Sequence, residues 1–361
     1  MNKIEVIAEA GSNHNGDVGK AIELIDIAKE SGANSVKFQF IFADGLYLPK
    51  FSQNGKTPSY VDNSVFNIRK NEELTNSQWE KIWSYALTRG INISASVFCK
   101  RGISLLSSLG APFVKIASTD FTNINLIESA IDAFDRVIIS TGMASIKDLG
   151  STIDFLDSQN LNNSEVELMH CVSRYPCPLS SSNLNRIALL RNISKYRVGY
   201  SDHTEGNESS LMALSLGVTV FEKHFTMDQE LPGFDHKHAA NPQQLQNYIE
   251  TLNNGCRALQ QNSSFITEEE VTTSIRARRG VYAARDLEKG KVVNADDLLY
   301  VRPSTLSSLS NIDDFLGRVV QEDVHKYTAL GGSDGIKGVK SNWKGASEYW
   351  SNEMIEKKMK K

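Results

Sequence analysis

The chain has 361 residues, 40% hydrophobic and 23% charged, with 39 Lys and Arg against 43 Asp and Glu for a formal net charge of -4. This is the composition of a globular protein with apolar material for a large core, which excludes a disordered chain; no basic stretch is long enough to track a phosphate backbone, so nucleic acid is not an expected partner. No run of about 18 apolar residues occurs and MNKIEVIAEAGSNHNG lacks a signal peptide's apolar stretch, so a soluble, cytoplasmic chain with no membrane partner is expected.

Short β-rich runs alternate with amphipathic helical stretches across residues 1–262. In chain order the strands are expected at IEVIAE from Ile4, SVKFQ from Ser35, INIS from Ile91, FVKIAS from Phe113, VIIS from Val137, VELMH from Val166, RVGYS from Arg197 and VTVFEKH from Val218. The helix after the first strand sets Val18, Ala21, Ile22, Ile25 and Ala28 on one face, with Asp17 as N-cap and Gly32 just past its end. The last helix starts at Asn241-Pro242 and carries Leu245, Tyr248, Ile249, Leu252, Cys256 and Leu259. Eight β/α units over roughly 250 residues match a (β/α)8 TIM barrel. The competing doubly wound sheet lacks its glycine-rich phosphate turn after every strand. The stretch from about Phe40 to Asn76 is too long for an ordinary βα connection and reads as an active-site loop or local excursion. After a linker at 263–275, residues 276–330 form a small β-rich domain with a turn at Glu288-Lys289-Gly290. The tail, 331–361, holds Trp343 and Trp350 and reads as a docked helix, with a partner-binding segment as the alternative. Cys99, Cys171, Cys177 and Cys256 show no C-x-x-C spacing, so reduced, structural thiols are expected.

In a TIM barrel the C-terminal strand ends surround the site, so polar residues there point to chemistry. Lys37 inside SVKFQ and Lys115 inside FVKIAS, with Ser118 ending the second run and Ser96, Ser140 and Ser201 on other strand ends, suggest a pocket for a phosphate or carboxylate. His203 and His224, ending neighbouring strands, are candidate ligands for a divalent metal with positions left for water and substrate; His170 ranks behind them. His14 and Asn13 lie in a first loop that a turn at Asn15-Gly16 explains without chemistry. His236 and His238 share the last loop with Asp235, His238 as a solvated residue.

The segments IAEAGSNHNGD, VKFQ, KIASTDFTNINLI, ISTGMAS, HCVSRYP, VGYSDHT, EKHFTMD and PGFDH, followed by RRGVYAARDLEKG and VRP, resemble in order the sialic acid synthase family, the phosphoenolpyruvate-condensing synthases of nonulosonic acids. The resemblance implies a TIM barrel followed by an antifreeze-like (SAF) domain, in a homodimer whose small domain caps the partner's barrel. It also implies a divalent metal on His203 and His224, usually manganese, with magnesium or cobalt as substitutes. Phosphoenolpyruvate would fall to Lys37, Ser96, Lys115, Ser118, Ser140, Ser173 and Ser201. An amino-sugar acceptor would fall to Glu9, Tyr175, Asp235 and, from the other subunit, Arg302. Asp120, Lys115 and Glu9 would be the catalytic positions, Asp120 as the base for water. The implied reaction joins carbon 3 of phosphoenolpyruvate to the aldehyde of an N-acylated amino-hexose and releases phosphate.

Departures from the family pattern are specific. SASVF stands where S-T-P-F is usual, so Ser96 replaces a threonine; Ser173 stands for an asparagine and Asp120 for a glutamate. Arg302-Pro303 is not followed by glycine, and QEDVHKYTALGGSDG lacks an I-x-K-G repeat. The alternatives are a synthase using a phosphorylated sugar, which needs further basic residues at the site, and a non-catalytic sugar- or anion-binding relative.

Overall fold

In a computed structural model, described over residues 4–52, 60–159, 161, 165–260, 266–303 and 312–330, the β-rich runs form a closed barrel of parallel strands. These are β1 (Glu5–Gly11), β2 (Ser35–Phe40), β3 (Asn92–Val97), β4 (Val114–Ile116), β5 (Arg136–Ser140), β6 (Glu165–Cys171), β7 (Arg197–Asp202) and β8 (Val220–His224). Each pairs with the next along the chain, and β8 closes on β1, Glu9 lying opposite His224.

A helix follows each strand: α1 (Val18–Glu30), α2 (Asn76–Arg89), α3 (Lys100–Ser108), α4 (Ile124–Ala133), α5 (Ile146–Ser158), α6 (Asn185–Ile193), α7 (Glu208–Ser215) and α8 (Pro242–Ala258). Their ends follow ordinary capping chemistry. Asp17 accepts hydrogen bonds from the backbone N–H groups of Gly19 at 2.6 Å and Lys20 at 3.1 Å, and Asn241 and Gln244 form a reciprocal capping box. The buried stripe of α1 is Ala21, Leu24, Ile25 and Ala28, so Leu24 takes the place expected of Ile22. A spacing of three, four and seven from Ala21 selects it, and Ile22 lies a hundred degrees off that line. Leu259 is a cap residue beyond α8 and is largely exposed, not a core position.

The barrel interior is layered by the two-residue period of its strands. Ile7, Phe113, Ile138, Met169 and Val220 form an apolar floor. Two residues further along the same strands come Glu9, Lys115, Ser140, Cys171 and Glu222, and two further still come Gly11, Ala117, Gly142, Ser173 and His224. The charged layer thus lies on the C-terminal side of the apolar floor, and the small residues above it leave room at the mouth, where a (β/α)8 barrel carries its chemistry. At the opposite mouth Arg136 bridges Glu5 at 2.8 Å and Glu167 at 2.9 Å, and Arg197 reaches Glu167 at 3.4 Å, an ionic plug.

The long connection after β2 holds a one-turn helix (Ala43–Leu46), a ribbon of Lys50–Ser52 with Tyr60–Asp62, and a helix (Ser64–Asn71) capped by Asn63. The chain divides into two compact units, Met1–Gln261 and Asn262–Lys361. In the second, a helix at Glu268–Ala277 occupies most of the stretch expected as linker. Thr267 and Glu270 form its capping box, and Glu268 to Glu270 set three carboxylates against its N-terminal dipole. β9 (Gly280–Ala283) then pairs antiparallel with β10 (Leu298–Val301) over a core of Val281, Leu287, Val293, Phe315 and Val320. The expected turn closes at Gly290, whose φ of 90° suits glycine. The tail with Trp343 and Trp350 lies outside the described residues. All four cysteines are free, and among the described residues no helix is long and apolar enough to cross a membrane.

Candidate active site

A cavity of about 380 Å³ opens at the C-terminal mouth of the barrel. At its base is a buried ionic network. Lys37 Nζ lies 2.5 Å from Glu9 Oε2 and 3.5 Å from Glu222 Oε2, and donates to Ser96 Oγ at 2.7 Å. Lys115 Nζ donates to both Glu222 oxygens, at 2.9 and 3.1 Å, and Ser201 Oγ donates to Glu222 Oε1 at 2.9 Å. None of the four charged side chains is more than 4% exposed. The strand lysines, expected to meet an anion, thus also have carboxylate partners within the chain. Buried ammonium groups need counter-charges, and two glutamates from β1 and β8 supply them. Burial pushes the Glu9 carboxyl up to about 7, with Lys37 opposing. Burial acts on Glu222 in the same sense, but Lys115 and Lys37 outweigh it and hold that carboxyl well below the usual range.

The serines stand above and around this network. Ser96, Ser118, Ser140, Ser173 and Ser201 all line the cavity, as does Tyr175. Gly142 N–H donates to Ser118 Oγ at 3.1 Å, and a Cβ on Gly142 would collide with the hydroxyls of both Ser118 and Ser173, so a glycine is required to bring these donors together.

His203 and His224 meet at the rim with ring centroids 5.5 Å apart. His203 Nδ1 lies 2.7 Å from the carbonyl of Val172, which can only accept, so Nδ1 carries a proton and Nε2 is the nitrogen left for a ligand; burial lowers the ring's pKa, but Cys171 and the Val172 carbonyl outweigh it and raise the pKa above its ordinary value. His224 Nδ1 is buried without a hydrogen-bond partner, and burial lowers its pKa to about 4, so the ring is neutral at pH 7. Two available imidazole nitrogens, one of them a buried orphan, fit a divalent cation. Among the described residues no group of three or more His, Cys, Asp or Glu side chains is arranged for a metal. The candidate is therefore the two-histidine pair alone.

Other candidates fall elsewhere. Asp120 is not among the cavity-lining residues, although its neighbours Ser118 and Thr119 are; its carboxylate accepts from Thr119 Oγ1 at 3.0 Å and Asn123 Nδ2 at 2.9 Å. Asp235 comes close to the rim from the last loop: a Cβ on Gly11 would sit 2.9 Å from Asp235 Oδ2 and 3.7 Å from Glu9 Oε1. His170 lies outside the cavity, Nε2 2.8 Å from the Ser182 carbonyl and its ring stacked on Tyr200, which removes it from the ligand candidates. His236 is buried against Thr226, 2.6 Å from Nδ1 to Oγ1, and His238 is exposed. Arg302 is exposed in the second unit, just after β10. Gln39, a polar strand-end residue two places after Lys37, also lines the cavity, as do the charged or thiol side chains Arg69, Cys171 and Glu222, which the motifs did not single out. Two of these had a signal, since Cys171 precedes Ser173 and Glu222 precedes His224 by two, on one strand face.

His14 is structural, as the turn predicts. It is buried against Trp79, and its Nδ1 accepts from Gly16 N–H at 3.0 Å. Burial and Arg69 push its pKa from 6.5 down to about 4. Between those values the unfolded chain binds a proton that the folded chain refuses. Stability is therefore complete above pH 6.5 and falls towards pH 4, by about 3 kcal/mol from this group. Urea unfolding of wild type and His14→Gln between pH 7 and 4.5 checks it: the variant should lose the steeper part of the acid slope, and identical slopes would contradict the assignment.

The chain matches the NeuB family model over residues 24–264 and the SAF domain model over residues 278–334. The chain belongs to the NeuB family. Its relatives include proteins named N,N'-diacetyllegionaminic acid synthase. That of Campylobacter jejuni is 31% identical over 90% of this chain and 97% of its own; that of Legionella pneumophila is 32% identical over 90% and 92%. The crystal structure of a sialic acid synthetase from Leptospira borgpetersenii, in complex with citrate, superimposes with a TM-score of 0.65 at 30% identity, covering 75% of this chain and 90% of that one. The (β/α)8 barrel of this NeuB-family chain is thus followed by an SAF domain.

Proposed function

We propose that this chain is a cytoplasmic nonulosonic acid synthase that condenses phosphoenolpyruvate with an N-acylated amino-hexose, N-acetylmannosamine or a 2,4-diacetamido-trideoxyhexose, and releases inorganic phosphate. One observation carries this: two buried lysines, five serine hydroxyls and two imidazoles share one cavity in a NeuB-family chain. The named activity of the legionaminic acid relatives supports it.

Lys37 and Lys115 orient the donor. Each already has a carboxylate partner, so an incoming phosphate or carboxylate exchanges one anionic partner for another and the lysines never stand bare. The serine hydroxyls donate to the remaining donor oxygens, while Tyr175 and Asp235 face the sugar. A divalent metal, manganese for preference, would be held by His203 and His224 and would supply Lewis acidity at the aldehyde. Carbon 3 of phosphoenolpyruvate forms a bond to the aldehyde carbon, and water adds at carbon 2. The bond from carbon 2 to the bridging oxygen then breaks as phosphate leaves, giving a 2-keto-3-deoxy acid three carbons longer. Water gives up both of its protons, one to the sugar oxygen and the other, as the carbon 2 carbonyl forms, to the departing phosphate. Glu9, with its pKa near 7, takes this proton traffic in place of Asp120. A homodimer would bring Arg302 of one chain to the acceptor in the other.

The test is phosphate release from phosphoenolpyruvate, with manganese, across N-acetylmannosamine, 2,4-diacetamido-2,4,6-trideoxyhexoses and a pentose 5-phosphate. Release with an N-acylated hexose is expected. Release with the pentose phosphate alone would favour the phosphorylated-sugar alternative, and release with none would sink the assignment.

A further inference from the structure

Arg69 lies on the Ser64–Asn71 helix of the excursion after β2, 7% exposed, and lines the barrel-mouth cavity. One edge of its guanidinium is fully engaged: Nη1 donates to Ser12 Oγ at 2.7 Å and to Glu72 Oε2 at 3.2 Å. One face is covered by the Phe234 ring, whose centroid is 4.0 Å from the guanidinium carbon. Its Nε, in contrast, is buried and has no hydrogen-bond partner. A buried N–H held rigid and left unpaired is costly in an empty site and becomes an asset when a ligand supplies an acceptor atom.

The charge state selects the kind of acceptor atom. Glu72 already neutralises the guanidinium, so a second anion finds no free cation here, whereas an uncharged carbonyl oxygen satisfies Nε–H at no electrostatic cost. Ile41, Leu46 and Tyr47, from the same excursion, line the same cavity and offer apolar surface. A hydrogen-bond donor together with apolar surface is what an acetamido group requires. We propose that Arg69 is an acceptor-specificity residue whose Nε–H donates to the carbonyl oxygen of the sugar's N-acyl group, within the synthase activity assigned above.

The test is calorimetric binding of two unreactive alditols, N-acetylmannosaminitol and acyl-free mannitol, to wild type, Arg69→Met and Arg69→Lys, with melting curves for all three. Lysine keeps a cation beside Glu72 and Ser12 but has no side-facing Nε–H. The acetylated alditol should bind wild type and lose about 10- to 100-fold in both variants, as expected for one buried charge-assisted bond, while mannitol binding stays within about twofold. If Arg69→Met fails to fold, Arg69→Lys decides alone. Equal losses for both alditols, unchanged affinity for the acetylated one, or no binding of it to wild type would overturn the proposal. Because binding is measured without turnover, failure here is separate from failure to release phosphate.

Discussion

Replacing Glu222 by glutamine should lower the melting temperature of the barrel by about 10 °C, although the side-chain shape is kept. The change removes the carboxylate to which Lys115 is bound, its Nζ meeting both Glu222 oxygens, while Lys37 retains Glu9 at 2.5 Å. An ammonium group buried at the centre of a barrel and stripped of its partner costs about 3–5 kcal/mol. In a domain of this size each kcal/mol moves the transition by roughly 2–4 °C. Two further results separate charge balance from packing. Adding Lys115→Met to Glu222→Gln should restore most of the lost stability, since the pair is then removed as a unit. Phosphoenolpyruvate should raise the melting temperature of Glu222→Gln more than that of wild type, because its anionic groups supply the missing counter-charge. A single variant melting with wild type, or a double variant melting below the single one, would contradict the network.

The barrel was legible because each strand is a short β-branched run and each helix a 3.6-residue stripe, both local patterns. The cavity side chains were legible wherever polarity broke an apolar strand, as at Lys37, Lys115 and His224. What fills the space between them was not. Glu222 lies 107 residues from Lys115 in sequence, and only closure of the barrel through β1 and β8 brings them together. The lysines therefore read as cations waiting for a ligand. Arg69 was hidden for a different reason: the excursion after β2 has no period that assigns a face, so neither burial nor aim could be read from its residues. Asp120 was legible from its motif, but its neighbours were not: the local turn Ser118–Asp120 sets its carboxylate beside Thr119 and Asn123.

His203→Asn should abolish turnover, with a loss of about a thousandfold or more, while the protein stays folded. Asparagine is chosen because its side-chain N–H₂ can replace His203 Nδ1–H as donor to the Val172 carbonyl, now 2.7 Å away, so the backbone after β6 keeps its partner. What disappears is the Nε2 lone pair, leaving His224 as the sole imidazole at the rim. If the pair holds a divalent cation, one ligand cannot, and the several kcal/mol that Lewis acidity contributes at a carbonyl are lost with it, each 1.36 kcal/mol being tenfold in rate. Manganese binding gives an independent readout. The paramagnetic resonance signal of aqueous Mn²⁺ should be quenched by wild type and persist with His203→Asn, and a chelator should silence wild type until manganese is restored. Wild type that turns over in excess chelator, together with a fully active His203→Asn, would remove the metal from the mechanism. The two imidazoles would then be hydrogen-bonding groups for the sugar, and His203→Asn would raise the acceptor KM with little change in kcat.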